Sequence, residues 1–190
     1  MTTVVVILVS FFTASAAEKG VNFSHDGESF AVHAATDGEV TAIVWVSYEG
    51  LKYRKGFITV FNSDDSIRCT ASIELRSDLV TVPSKTAIHS GKIYVAGELR
   101  EENPVAGFIA SFDRDCKPAG EALLVSAETS TSVKDIVVAD GIYTPVEALF
   151  DVYIVKLDQN LNPIWYKSST PIPQYLSDSQ QPAPHSRDNI

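Results

Sequence analysis

Three short segments of the chain alternate apolar and polar residues and then stop at Asn or Asp. They are Gly56-Phe-Ile-Thr-Val-Phe-Asn62, Gly107-Phe-Ile-Ala-Ser-Phe-Asp113 and Val152-Tyr-Ile-Val-Lys-Leu-Asp158. A period of two indicates a strand with one buried face. Asn and Asp favour a turn after the strand, because their side chains bond nearby backbone groups and tolerate the left-handed conformation. The aromatic second positions recur at a spacing of about 50 residues, which indicates an internal repeat.

Each of these segments has predicted strands on both sides. A closing strand follows each turn, at residues 69–75, 121–125 and 164–167. Before each segment lies a strand rich in Ile and Val that begins at a Gly turn, at residues 37–46, 90–97 and 140–146. One more apolar strand opens each unit, at residues 30–34, 86–89 and 135–139. The pattern predicts an all-β chain of three four-stranded antiparallel units, at about residues 29–76, 84–126 and 132–168, with a polar connector at 126–132.

Two segments carry a resemblance to a known architecture. They are Gly91-Lys-Ile-Tyr-Val-Ala-Gly97, and Val152-Tyr-Ile-Val-Lys-Leu-Asp158 followed by Asn162-Pro-Ile-Trp165. They resemble the blades of β-propeller repeat proteins, of the kelch-like or secreted propeller-repeat type, although the tandem Gly-Gly of kelch is absent. The resemblance implies a propeller-like array of three blades in an open or incomplete ring, since closed propellers use about 4 to 8 blades. It implies no particular activity, because such folds host many functions.

The first 17 residues carry no charged side chain and contain an apolar run at residues 4–12. Ala14-Ser15-Ala16 fits the small-residue rule for signal peptidase, so we expect a signal peptide at 1–17 and a mature chain that begins at Ala17 or Glu18. An uncleaved membrane anchor and a buried core strand are the alternatives. Asn22 begins an Asn-Phe-Ser triplet, a candidate N-glycosylation site that agrees with a secreted or cell-surface protein.

Length and charge narrow the possible partners. The chain has 190 residues, enough for one domain, and 45% hydrophobic residues, enough for a core. The net charge of −9 argues against nucleic acid or an anionic membrane as a partner.

Residues 171–190 are polar and proline-rich, which predicts a disordered tail. No segment after the leader is long enough to span a membrane.

No motif for catalysis, phosphate binding or metal binding occurs in the chain, so no catalytic residue, cofactor or metal is expected. None of the histidines, His25, His33, His89 and His185, has metal-ligand spacing to another His or Cys. Asp158-x-Asn160-x-Asn162 begins like a calcium loop, but Pro163 and Ser169 stand where an EF-hand needs Gly and Glu. The same Asp/Asn pattern suits a hairpin turn, and a looser calcium site is the alternative. Cys69 and Cys116 could pair across neighbouring units of an exported protein.

Two functions remain open from the sequence. The first is a noncatalytic binding or surface-structural protein that acts through its blade loops on a protein or glycan. The second is a fragment of a propeller-class carbohydrate-active hydrolase, which would bring carboxylates together on one rim of the blades. Three blades leave two end faces that need a cover, so self-association or a missing continuation of the repeat is expected, and a stable monomeric fan is the alternative.

Overall fold

The computed structural model describes residues 28–50, 52–124, 129–148 and 151–168. The candidate signal peptide, Asn22 and the tail at 171–190 lie outside these residues. In the described ranges every regular element is a β-strand, which confirms the all-β prediction. None of these residues belongs to a helix that is long and apolar enough to cross a bilayer.

The strands form three antiparallel sheets, each from a continuous stretch of chain. Sheet 1 contains, in order, β1 (Glu28–Thr36), β2 (Val40–Glu49), β3 (Lys52–Asn62) and β4 (Ile67–Ile73). Sheet 2 contains β5 (Val80–His89), β6 (Lys92–Arg100), β7 (Pro104–Phe112) and β8 (Pro118–Leu124). Sheet 3 contains β9 (Thr131–Val133), β10 (Val137–Val138), β11 (Ile142–Ala148), β12 (Asp151–Leu157) and β13 (Pro163–Ser168).

Sheet 3 differs from the predicted four-strand pattern. Its first edge consists of two pieces, β9 and β10, which both pair with β11. Thr131 and Ser132, predicted to lie in a polar connector, are buried residues of β9. The Thr131 hydroxyl accepts a hydrogen bond from the Gly107 N–H of sheet 2, so a contact distant in sequence places this polar segment in a strand.

The three sheets stack with the same orientation. We call the side of each sheet that carries Phe57, Phe108 or Tyr153 its front face, and the opposite side its back face. In one core, Ile58 and Val44 on the back of sheet 1 pack with Phe108 on the front of sheet 2. In the other, Ile109 on the back of sheet 2 packs with Tyr153 on the front of sheet 3. Sheet 2 is therefore the middle layer and is buried on both faces.

Close packing of the middle sheet explains a glycine in β6. Gly97 pairs with Phe108 on the front face, at the position where sheet 1 has Trp45 opposite Phe57. A Cβ atom on Gly97 would lie 2.8 Å from both Phe108 Cε1 and Pro83 Cα, and closer still to the Val82 carbonyl oxygen. Only a residue without a side chain allows β5 to approach this closely.

Gly97→Ala should therefore destabilise the protein by about 1–3 kcal/mol, the usual cost of overpacking a core. Gly120→Ala is the matched control, since its Cβ would meet Ser111 Oγ at 3.4 Å and Leu161 Cδ1 at 3.8 Å. Denaturant unfolding of both variants measures the difference. Equal midpoints for the two would show that β5 moves away without cost.

Candidate functional site

The first strand of each sheet has an irregularity at a corresponding place. The pairing of β1 with β2 shifts between Ala31 and His33, and that of β5 with β6 shifts between Pro83 and Lys85. In sheet 3 the irregularity is the gap at residues 134–136 between β9 and β10. The pairing registers place His33 and Lys85 at equivalent positions after these shifts. Asp135 lies in the gap of sheet 3, two residues after Val133, as His33 and Lys85 lie two residues after Ala31 and Pro83. We call the edge of the stack formed by β1, β5 and β9–β10 the first-strand edge.

His33 joins sheet 1 to sheet 2 at this edge. Its Nδ1 accepts a hydrogen bond from the Thr86 N–H of β5 at 3.3 Å. Burial lowers the pKa of His33, and the neighbouring Lys85 lowers it further, while Asp135 and the backbone hydrogen bond at Thr86 raise it by less. The neutral imidazole, which alone leaves Nδ1 free to accept, is the form that this surrounding favours.

A chain of charged and aromatic groups links all three sheets. Glu98 of β6 is 5% exposed and lies on the back of sheet 2. Its carboxylate contacts Lys134 Nζ of sheet 3 at 2.8 Å and Arg100 at 3.1 Å. The Arg100 guanidinium lies 5.0 Å from the ring centre of Tyr53 in sheet 1. Since a buried carboxylate without partners is costly, these two cations are required for Glu98 to occupy the core.

A cleft opens where β7 begins and β11 ends, lined by Pro104 of sheet 2 and by residues of sheet 3 and the segment just before it. Its volume is about 440 Å³. It combines apolar, hydroxyl and carboxylate side chains, namely Pro104, Ser130, Thr131, Ser132, Glu147, Ala148, Asp151 and Val152. We call this cavity the rim cleft; it offers hydrogen-bonding oxygens beside an apolar wall.

The opposite rim is built from three turns of the same construction. In each, the first residue exchanges backbone hydrogen bonds with the residues three and four positions later, as in Asp113 with Cys116 and Lys117. The fourth residue has a positive φ in all three turns, at Asp65, Cys116 and Leu161. The Asp158 carboxylate accepts hydrogen bonds from the Asn160 and Asn162 N–H groups, each at 2.8 Å. These oxygens therefore stabilise a hairpin turn.

The described residues do not bring together a group of side chains that could bind a metal ion. Among residues 28–50, 52–124, 129–148 and 151–168, no group of three or more His, Cys, Asp or Glu is placed to hold a metal ion. Hydrogen bonds from Asn162 and its neighbours lower the pKa of Asp158, so the carboxylate is ionised and already engaged by the turn.

The fourth residue of the second turn makes a covalent link between sheets. Cys116 forms a disulfide with Cys69 of β4 in the preceding sheet, with the two Cα atoms 6.0 Å apart. Leu161 holds the corresponding position in the next turn and packs on sheet 2 near Gly120, which corresponds to Cys69 in register. The disulfide thus replaces a hydrophobic contact that the next pair of sheets makes at the same place.

Ion pairs surround this link. The Arg114 guanidinium bonds the Asp37 carboxylate of the β1–β2 turn at 2.7 Å and also pairs with Glu39. Arg68 Nε lies 2.8 Å from Asp115. These pairs join sheet 1 to sheet 2 and are partly exposed, so each contributes modestly to stability.

Two aromatic residues of the strands serve packing. Trp45 stacks on Phe57 at 4.1 Å between ring centres, and Tyr94 is buried. His25 and His185 lie outside the described residues. Glu147, Asp151 and Ser130 were not identified as site residues, since their convergence depends on how sheet 3 meets sheet 2. Glu98 did leave a signal, because it is a charged residue within an apolar strand.

Comparison with known proteins adds no identification. Neither models of protein families nor curated protein sequences match this chain. Function is therefore argued from the geometry alone.

Removal of the disulfide by Cys69→Ala with Cys116→Ala should lower the free energy of unfolding by about 2–4 kcal/mol, since the bond closes a long loop. Denaturant unfolding measures this loss. Wild-type protein in reductant is the control and should match the double variant. An unchanged wild-type midpoint in reductant would contradict the prediction.

Proposed function

We propose that this chain is an exported, noncatalytic, propeller-like protein that binds glycans in the rim cleft. The observation that carries the proposal is the cleft itself, which combines carboxylates and hydroxyls with an apolar wall of Pro104, Ala148 and Val152. Sugars present hydroxyl groups beside apolar C–H faces, and such a lining matches both.

The uniform stacking of the sheets supports the propeller-like arrangement. The back of one sheet covers the front of the next at both interfaces. The pairing of the first strand with the second is interrupted at Val32 in sheet 1, at Ser84 in sheet 2 and at residues 134–136 in sheet 3. At this point the Ser84 hydroxyl donates a hydrogen bond to the Val133 carbonyl oxygen of sheet 3 at 2.5 Å. Blades arranged around an axis bring their first strands together in this way. Export is supported by the Cys69–Cys116 disulfide, since such bonds persist in oxidising compartments.

A hydrolase is the second candidate, because Glu147 and Asp151 share the cleft. Glycosidases use a carboxylate pair, one of which is a general acid whose pKa is raised by an apolar surrounding. Glu147 is exposed and Asp151 is half-exposed. Their exposure favours binding over acid catalysis.

A glycan array probed with the tagged protein tests the binding site. We expect the wild-type protein to bind a subset of oligosaccharides. The double variant Glu147→Gln with Asp151→Asn should bind them with an affinity reduced at least roughly tenfold, because hydrogen bonds to charged groups are lost. The matched control is Glu28→Gln with Asp78→Asn, which removes two carboxylates outside the cleft and should bind like wild type. Release of reducing sugar from a bound glycan would support the hydrolase, and an array without any binding would overturn the glycan proposal.

The stack also leaves the back face of sheet 3 with exposed apolar side chains. Val137 is 59% exposed, and Ile154 and Trp165 are each 36% exposed. In register these positions belong to the face that, in sheets 1 and 2, packs on the next sheet. We propose that a second copy of the chain supplies the sheet that covers it, continuing the two interfaces already formed.

Light scattering over a dilution series should therefore detect a dimer or a larger assembly of the purified protein. Ile154→Glu should shift it to the monomer, because a charge would be buried at the interface. Val105→Glu changes an equally exposed apolar residue of the middle sheet, 44% exposed, and should leave the assembly intact. A wild-type protein that stays monomeric at all concentrations would show that the three sheets are stable without a cover on the back face of sheet 3.

A further inference from the structure

The first strand of sheet 1 is held less firmly than its neighbours. Of the nine residues of β1 only Ser29 is buried, whereas β6 buries every residue from Ile93 to Leu99. Beyond its ladder to β2, β1 is tied to sheet 2 by the hydrogen bond from the Thr86 N–H to His33 Nδ1. A strand with so little buried surface belongs to the part of a fold that opens first.

The two sides of the interface between sheets 1 and 2 are secured differently. On the side of β4, the Cys69–Cys116 disulfide is covalent and indifferent to moderate pH. On the first-strand edge, the tie depends on an imidazole nitrogen that must be unprotonated to accept. Lys85 lies on β5 beside the ring, so a protonated imidazole would also meet a like charge.

We propose that His33 is a proton-operated latch, which in its neutral form ties β1 to β5 and on protonation releases the first-strand edge while the disulfide holds the other side. Protonation places N–H at Nδ1 opposite the Thr86 N–H, so two donors face each other. The groups that act electrostatically on His33 are Lys85 of β5 and Asp135 of sheet 3. The latch works through a bond between sheets and is independent of the glycan proposal.

The direction with pH follows from the imidazole. The pKa of His33 in the unfolded chain is 6.5, and its pKa in the folded protein lies below that value. The stabilisation from neutral His33 is complete above that value and is lost as pH falls through the folded pKa. The carboxylates of Asp37, Asp115 and Asp158 have lowered pKa values, so they remain ionised in this range.

Amide exchange of the purified full chain, followed by NMR, tests the latch. The protection factor of the Thr86 amide should fall roughly fivefold between about pH 7 and pH 5, as expected for the loss of one hydrogen bond. His33→Asn keeps an acceptor near the Nδ1 position and does not titrate, so it should abolish this fall. His89→Asn changes the other described histidine and should respond as wild type does.

Two further variants keep His33 in place. Lys85→Gln removes the like charge and should move the midpoint of the transition to higher pH. Asp135→Asn removes the opposing carboxylate and should move it to lower pH. A fall in protection that persists in His33→Asn, or a midpoint that neither neighbour moves, would overturn the latch.

Discussion

The structure depends on the burial of sheet 2 between sheets 1 and 3. A sheet with both faces covered needs apolar side chains at successive positions, and β6 buries seven residues in a row from Ile93 to Leu99. That burial makes the exceptions informative. Gly97 is there because β5 approaches too closely for a side chain, and Glu98 is tolerated because Arg100 and Lys134 neutralise it. Sheets 1 and 3 are joined because each packs on one face of sheet 2.

The two rims of the stack serve different purposes. At one rim the turns saturate their own polar groups, and Cys116 and Leu161 anchor each turn on the preceding sheet. The turns at this rim stabilise the fold, and their carboxylates are not open to a ligand because they already accept hydrogen bonds within the turns. The other rim holds the cleft, whose lining includes hydroxyls and carboxylates. The Thr131 hydroxyl and the Asp151 carboxylate already have hydrogen-bond partners within the protein. Glu147 is exposed, so binding is best placed around its carboxylate.

Charge is organised across the sheet interfaces. The chain carries a net charge of −9, yet Arg68, Arg100 and Arg114 each pair with acidic groups within or between sheets. At the first-strand edge the three corresponding positions hold a histidine, a cation and a carboxylate, so the sheets meet through unlike groups. Identical residues at these places would bring like charges together, which is unfavourable at short distances. Variation among the sheets is thus itself a requirement of stacking.

The sequence alone determined the β-strand content, the division into three antiparallel units and the Asp/Asn turns, because period-two alternation and turn chemistry are local properties. It predicted four strands in each unit, whereas sheet 3 has five because its first edge is divided into β9 and β10. It also left Cys69 and Cys116 as possible partners. It could not determine that Thr131 and Ser132 form a strand, that Glu98 meets Lys134, or that Glu147 and Asp151 line one cleft with Pro104. Those outcomes depend on how one sheet lies against the next, a relation between residues far apart in the chain. The tertiary structure decided them because the packing of two faces fixes which side chains meet.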